Sequence, residues 1–306
     1  MDELMLMELY YNVKKELGQE YDVQVQPVVK NNNKELTGFV IRKGEEQVAP
    51  VIYVDSLLSR PDYDLNQAVD EIVGLVHHHC VPPISANILL DFNTIKERLR
   101  LKLINYEANQ PLLEEIPHVK YLDLAIVFYL LIEENDEGQL TALVHNGHVE
   151  AWETNVEELY KIALSNMREK QLPRLEPLEN IMKNLVKDSW IDALDDVVAD
   201  FPEAKMDMYV LTSEHGISGA ATILYSSALE KLADEFNCNI IIFPSSIHEV
   251  ILVGEEEGLE YAQLSQLVRL INLQEVFPEE QLSNSVYLYD RRKKEIRIVF
   301  QGKALS

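Results

Sequence analysis

The chain has 306 residues, 47% of them hydrophobic, and its 52 acidic and 27 basic side chains give a formal net charge of −25 at pH 7. Nucleic-acid phosphates and anionic membrane surfaces attract basic proteins, so this charge argues against direct binding to either. The sequence shows no transmembrane-length apolar run and no basic, cleavable leader, and its two cysteines form neither a disulfide framework nor a metal motif. We therefore expect a cytoplasmic protein without a cofactor.

Helical and strand patterns alternate along the first part of the chain. Apolar residues at helical spacing predict helices, and short alternating or wholly apolar runs between turn residues predict strands, three of them as an antiparallel meander. These elements are the helices Asp2–Leu17, Leu65–His79, Asp91–Leu99 and Thr154–Lys170 and the strands Tyr21–Val29, Leu36–Arg42, Val48–Val54, Tyr121–Leu131 and Leu140–His145, with Leu101–Tyr106 either helix or strand.

A proline-containing segment then divides the chain. Because proline interrupts both helix and sheet, Gln171–Pro177 predicts a domain boundary. We expect an α+β fold of two packed domains, residues 1–172 and 173–306, each a mainly antiparallel sheet with helices on it. Beyond the boundary the patterns predict the helices Leu178–Val198, Ala228–Phe236 and Leu259–Leu273 and the strands Met208–Thr212, Ile240–Phe243, His248–Val253, Ser285–Asp290 and Glu295–Phe300.

Five segments are distinctive in their amino-acid sequence and in their order along the chain. They are INYEANQPLLEEIPHVKYLDLAIVFYLL (Ile104–Leu131), LTALVHNGHVEAW (Leu140–Trp152), MYVLTSEHGISGAATILY (Met208–Tyr225), FPSSIHEVILV (Phe243–Val253) and SNSVYLYDR (Ser283–Arg291). Together they resemble a family from Firmicutes that is known only as a domain of unknown function, family 5688. The resemblance implies a bacterial protein of a kind often carried on phage or other mobile elements. It implies no catalytic residue, since none is established for the family.

The densest group of chemically capable side chains follows the predicted core strand Ile240–Phe243. Ser245, Ser246, His248 and Glu249 lie there within five residues, and a serine beside a histidine can form a nucleophile and its base. The segment lacks a Gly-x-Ser-x-Gly elbow and a second histidine one helical turn on, which argues against an α/β-hydrolase and a zinc protease. Serines after proline are also typical of a structural turn, in which His248 would cap backbone groups.

A glycine-containing loop follows the predicted strand Met208–Thr212. Strand, glycine loop and helix is an arrangement that can bind phosphate, but Gly216–Gly219 matches neither the dinucleotide motif nor the P-loop. Close backbone packing is the more ordinary use of such glycines. Because loops that follow strands of one sheet gather at one edge, we expect this loop to meet the Ser245–Glu249 segment. Thr212, Ser218 and Tyr225 are therefore candidate ligand-binding residues.

Two groups of histidines are weak candidates for metal ligands. His77, His78 and His79 precede Cys80 on a predicted helix, where consecutive side chains diverge, so at most two could face one ion. His145 and His148 flank Asn146-Gly147, a sequence typical of a hairpin turn. Neither group has partner ligands at zinc spacing elsewhere, so we predict no metal.

The sequence contains no complete catalytic or cofactor motif. We therefore expect a non-enzymatic accessory or interaction protein of a bacterial mobile element or phage, which presents its acidic surface to a protein partner. Carboxylates spaced like phosphates would let it bind a basic partner as a nucleic-acid mimic, although acidity also serves solubility. The alternative is a small-molecule-binding protein or hydrolase centred on Ser245, Ser246, His248 and Glu249. The oligomeric state stays open.

Overall fold

The computed structural model describes residues 3–44, 49, 51–60, 62–78, 91–135, 138–180, 207–225 and 227–305. Its α-helices are α1 (Glu3–Leu17), α2 (Asp55–Leu58), α3 (Leu65–His78), α4 (Phe92–Ile95), α5 (Gln110–Glu115), α6 (Asn146–Ala151), α7 (Val156–Lys170), α8 (Ala228–Phe236) and α9 (Tyr261–Glu275). Its strands are β1 (Tyr21–Val29), β2 (Glu35–Lys43), β3 (Val51–Tyr53), β4 (Leu99–Asn105), β5 (His118–Tyr121), β6 (Leu124–Asn135), β7 (Gly138–Leu143), β8 (Pro173–Pro177), β9 (Met208–Ser213), β10 (Ile240–Phe243), β11 (Glu249–Gly254), β12 (Val286–Asp290) and β13 (Glu295–Phe300). In the part of the chain with described structure, no helix is both long and apolar enough to cross a membrane.

The first sheet is the predicted antiparallel meander, β1-β2-β3. Helices α1 and α3 cover one face of it, and their apolar stripes form a separate core with the sheet around Leu9, Phe39 and Ile72. Acidic Glu3 lies in the first turn of α1 and Lys14 in the last, an arrangement that complements the helix dipole.

The 3-10 turn Asn31–Asn33, which follows β1, connects this first sheet and its helices to the rest of the chain through the buried Asn32. Asn32 has a left-handed backbone (φ 59°), which asparagine tolerates better than most residues. Its backbone N–H donates to Asn109 Oδ1 at 2.7 Å, and its side-chain amide donates to the carbonyl oxygen of Gln281 at 2.7 Å. Hydrogen bonds of this kind satisfy polar groups that the contact removes from water.

The second and third sheets are also antiparallel. In the second sheet β4 pairs with one edge of β6, and β5 and β7 pair with the other. The third sheet has the order β13-β12-β10-β11-β9-β8. Its strand β10 is buried on both faces, which explains the uninterrupted apolar run: Ile240 and Ile242 face the main core, whereas Ile241 and Phe243 face α9.

The main core lies between the second and third sheets. It contains Leu101 and Phe128 from the second sheet, Leu252 and Tyr287 from the third, and residues of α7 and α8. The fold is α+β with helices on antiparallel sheets, as predicted. The division at residues 172 and 173 stays a prediction, and the main core includes residues from both sides of it.

Several local predictions were wrong. The proline segment that was expected to interrupt both helix and sheet forms β8, which pairs with β9 at the edge of the third sheet, where a missing N–H is tolerated. The single strand predicted from Tyr121 is interrupted at Leu122, whose left-handed backbone (φ 56°) turns the chain between β5 and β6. The helix predicted over Asp91–Leu99 ends as a short 3-10 turn, Lys96–Arg98, before β4. Most of the predicted helix Leu178–Val198 lies outside the described residues.

Candidate functional site

The two loops that the sequence indicates as neighbours do meet. Thr212 Oγ1 donates to the carbonyl oxygen of His248 at 2.7 Å, and the Ser218 backbone N–H donates to His248 Nδ1 at 3.3 Å. The backbone N–H of Ala220 also donates to the carbonyl oxygen of Ile247, at 3.2 Å. The glycine loop and the Ser245–Glu249 segment therefore form one connected structure.

Gly219 makes this contact sterically possible. A Cβ atom at this position would lie 2.2 Å from Thr212 Oγ1 and 2.4 Å from both the His248 carbonyl oxygen and the Ser213 nitrogen. The 3-10 helix that follows, Gly219–Leu224, is buried over its first five residues, so its N-terminus is not open to a phosphate group. The glycine thus permits close backbone packing, the more ordinary of the two predicted uses.

The His248 imidazole has a partner at each nitrogen. Because the Ser218 N–H points at Nδ1, that nitrogen acts as an acceptor and the ring proton lies on Nε2. Nε2 is 3.3 Å from Glu280 Oε1, so the ring bridges a backbone amide and a carboxylate. The nearest serine hydroxyl in the sequence, Ser246 Oγ, accepts the backbone N–H of His248 at 3.0 Å. Among the described residues, no serine hydroxyl is hydrogen-bonded to the ring.

The fold buries Ser245 and Ser246 and half-buries Glu249. The Ser245 carbonyl oxygen accepts the backbone N–H of Leu282 at 2.9 Å. Burial raises the pKa of Glu249, and the negative charge of Glu280 raises it further, while His248 and a hydrogen bond from Ser246 oppose the shift. The predicted catalytic roles of these residues stay predictions.

The other predicted ligand-binding residues divide between two places. Thr212 and Ser218 contact His248 as described above, whereas the Tyr225 hydroxyl donates to the carbonyl oxygen of Gln171 at 3.1 Å. Burial raises the pKa of Tyr225, and a neighbouring tyrosine, Tyr129, adds to the effect. Tyr129 itself has its pKa raised to about 12, mainly by burial. Both hydroxyls therefore stay protonated at neutral pH.

The histidine groups have structural contacts. Asn146-Gly147 begins α6 and is not the predicted hairpin turn, because His145 and His148 form a capping box at the start of this helix. The His145 backbone N–H donates to His148 Nδ1 at 3.0 Å, and the His148 ring stacks on Trp152 at 5.4 Å between centroids. Burial lowers the pKa of His148, with a contribution from His145.

The upstream group is only partly described. The His77 ring packs edge-on against Tyr21, with 6.1 Å between centroids. The His78 side chain and all of His79 and Cys80 lie outside the described residues. Within the described ranges, no group of three or more His, Cys, Asp or Glu side chains is placed to hold a metal ion.

A second polar site lies where the turn between β5 and β6 meets the start of β12. The carboxylate of Asp123 accepts hydrogen bonds from Ser283 Oγ at 2.8 Å, from Ser285 Oγ at 2.7 Å and from the Tyr287 hydroxyl. Gln301 Nε2 lies 3.3 Å from the same carboxylate. No cationic side chain in the described parts of the chain comes within 4 Å of it. A cavity of about 260 Å³ adjoins this Asp123 site.

The model of a family of unknown function (DUF5688) matches residues 4–291, nearly the whole chain. The chain belongs to this family. No curated protein and no solved structure matches it. The family membership that the five distinctive segments indicate is therefore confirmed, and the function of this DUF5688 member has to be argued from its own residues.

Sequence reasoning missed both Glu280 and the Asp123 site. Glu280 lies more than thirty residues after His248, in a segment without a recognisable motif. A signal for the Asp123 site was present, because two of the five distinctive segments contain its parts: Asp123 lies in Ile104–Leu131, and the two serines and Tyr287 lie in Ser283–Arg291. Polar residues in such segments are candidates for a shared site, even when no known motif joins them.

Proposed function

We propose that this DUF5688 member is a non-enzymatic, cytoplasmic accessory protein of a bacterial mobile element or phage, and that its acidic surface binds a basic protein partner. The observation that carries the proposal is the excess of carboxylates without cationic partners. Over its whole length the chain has 52 acidic residues against 27 basic ones. In the part that the structure describes, nine ion pairs form, two of them to histidines. An uncompensated negative surface attracts and orients a positively charged protein.

Two exposed clusters illustrate this surface. The α5–α6 cluster consists of Glu114, Glu115 and Glu150; the Asn146 side chain donates to the Glu114 carbonyl oxygen at 3.0 Å and so joins the two helices. The β11–α9 cluster consists of Glu256, Glu257 and Glu260. Within the described structure none of these six carboxylates belongs to an ion pair.

The surroundings of His248 also favour a binding protein over a hydrolase. Both ring nitrogens are already engaged, by Ser218 and Glu280, and Ser246 accepts a backbone hydrogen bond. A nucleophile–base pair needs a hydroxyl within hydrogen-bonding reach of a free ring nitrogen. The alternative hydrolase function predicts that His248→Ala abolishes turnover without lowering the melting temperature. The binding function predicts instead that the substitution only destabilises the fold.

The experiment is an affinity capture from a bacterial lysate, followed by binding measurements on each purified candidate. We expect one stoichiometric basic partner, whose affinity falls steeply between about 50 and about 200 mM salt. If the protein mimics nucleic acid, duplex DNA will compete for the same partner. Binding that does not respond to salt, or a captured set without a basic protein, would contradict the proposal.

Two matched variants locate the contact. Each changes three exposed glutamates to glutamine: one in the α5–α6 cluster and one in the β11–α9 cluster. Both remove the same charge, so a general field effect weakens binding equally in the two proteins. If the partner docks through one of these faces, one variant should bind it more weakly than the other. The association rate should account for most of this loss if the charges steer the encounter.

A further inference from the structure

The cavity beside Asp123 is bounded by parts of the chain that are distant in sequence. Its walls include Asn105 at the end of β4, Asp123, the residues that precede β12, and the segment from Gln301 to Leu305. Asn105 and Asn284 both use their side-chain amides to hold backbone carbonyl oxygens, those of Leu282 and Lys303, at 2.9 Å. The walls are therefore fixed by hydrogen bonds.

The Asp123 carboxylate is held in one orientation by neutral donors. Ser283, Ser285 and Tyr287 are all buried, and each donates its hydroxyl hydrogen to this carboxylate. The serine hydroxyls are themselves held in place, since Ser283 Oγ accepts the Ser285 N–H at 2.9 Å and Ser285 Oγ accepts the Gly302 N–H at 3.0 Å. Burial and the adjacent carboxylate raise the pKa of Tyr287 well above its usual value, so its hydroxyl remains a donor.

One of the four donors to the carboxylate is weakly held. A carboxylate has about four acceptor positions, and four donors reach Asp123: Tyr287 at Oδ1, and Ser283, Ser285 and Gln301 at Oδ2. On Oδ2, the third donor is the exposed Gln301 amide, whose contacts to Asp123 and Ser285 are long, at 3.3 and 3.2 Å. A positively charged donor makes a shorter and stronger hydrogen bond to a carboxylate than a neutral amide does.

The charges around the cavity favour a cation. The residues that line it include two acids, Asp123 and Glu107, and one base, Lys303, a balance of one negative charge. The chain as a whole, these residues included, has a net charge of −25. At about 260 Å³ the cavity is smaller than the roughly 300–1,000 Å³ of drug-sized ligand pockets. The occupant is therefore a small group with a cationic end.

We propose that this cavity binds an alkylammonium group, with Asp123 as the counter-ion. The ammonium takes the position that the Gln301 amide now occupies beside the carboxylate. The group belongs either to a free small amine or to a lysine side chain of another protein. The proposal does not depend on the acidic-surface function, because it is argued from the hydrogen bonds and the lining of this cavity.

The test is an NMR titration of the protein with n-butylamine, with n-butanol as a neutral control of the same size. We expect saturable shifts near Asp123 with the amine only. Asp123→Asn should weaken binding about tenfold or more, since a charged hydrogen bond contributes roughly 1.5–3 kcal/mol. Asp62→Asn changes the net charge equally at an exposed site away from the cavity and should leave binding unchanged. Equal binding of butanol, or unaltered binding by Asp123→Asn, would overturn the proposal.

Substitutions of Gln301 test the site without altering the carboxylate. Gln301→Lys places an alkylammonium beside Asp123 within the chain and should block n-butylamine, whereas Gln301→Met, of similar size but neutral, should bind the amine at least as tightly as the natural protein. Equal binding by the two variants would refute the assigned position. A short peptide with one lysine, compared with the same peptide carrying norleucine, distinguishes the sources. Binding of the lysine peptide favours a protein side chain, and binding of n-butylamine alone favours a free amine.

Discussion

Gly219→Ala is the substitution that tests most directly whether the two loops around His248 meet as described. The added Cβ would lie 2.2 Å from Thr212 Oγ1 and 2.4 Å from both the His248 carbonyl oxygen and the Ser213 nitrogen, whereas real Cβ atoms essentially never approach below 3.0 Å. Two of these three atoms belong to the backbone, so rotation of one side chain cannot relieve the overlap. The loops must separate by more than half an ångström.

The expected cost follows from these contacts. Overpacking a closely packed site costs about 1–3 kcal/mol, and separating the loops also breaks the hydrogen bond from Thr212 Oγ1 to the His248 carbonyl oxygen, which contributes about 1 kcal/mol. We expect Gly219→Ala to lower the free energy of unfolding by about 3 kcal/mol. Adding Thr212→Ala removes the closest contact, so the double variant should lose less than the sum of the two single losses.

The assay is urea denaturation followed by circular dichroism, with the slope m checked for equality among variants. Gly147→Ala is the matched control: this glycine lies in α6, with no atom within 4 Å of the added Cβ, and its substitution should be neutral or stabilising by up to about 1 kcal/mol. If Gly219→Ala unfolds at the same urea concentration as the natural protein, the described contact between the loops is wrong.

Three further predictions concern one buried and two half-buried titratable groups. Tyr287→Phe should lower the free energy of unfolding by about 1.5–3 kcal/mol at neutral pH, because it removes a hydrogen bond to a carboxylate. Since the pKa of Tyr287 in the folded protein is raised above 10.0, the natural protein should lose stability above pH 10. Thermal melts across that range should show a smaller loss for the variant. The raised pKa of Glu249 means that its ionised form opposes folding, so Glu249→Gln should raise the melting temperature at neutral pH and lose this advantage below pH 4.5. Burial, with a contribution from Lys30, lowers the pKa of Lys102 to about 8, so Lys102→Met should stabilise the protein below that pH, and the gain should disappear above pH 10.5. A constant effect of either of the last two substitutions across pH would contradict the assigned ionisation.

The sequence predicted elements best where one physical signal dominated. The run Ile240–Phe243 is apolar throughout because both faces of β10 are buried, and this pattern predicted the strand correctly. Predictions failed where a local rule had an exception in the tertiary structure. Prolines were taken to exclude a strand at residues 173–177, but an edge strand tolerates them. Asn146-Gly147 indicated a hairpin turn, but a histidine side chain capped a helix there instead.

The sites around His248 and Asp123 differ in how far the sequence could predict them. The reason is the number of residues that separate their contacting side chains along the chain. Ser246 and His248 are two residues apart, so the chain itself holds them close together, although it does not determine their hydrogen-bond partners. Asp123 reaches Ser283 across 160 residues, and only the packing of the second sheet on the third brings them together. The two sites also differ in their chemistry. The cluster around His248 uses its polar atoms to hold one turn. The cluster around Asp123 orients a carboxylate that has neutral donors and, among the described residues, no cation within 4 Å. A carboxylate fixed in this way is already organised for a cationic ligand, so the uncompensated charge of Asp123 is a stronger indication of binding than the reactive residue types around His248.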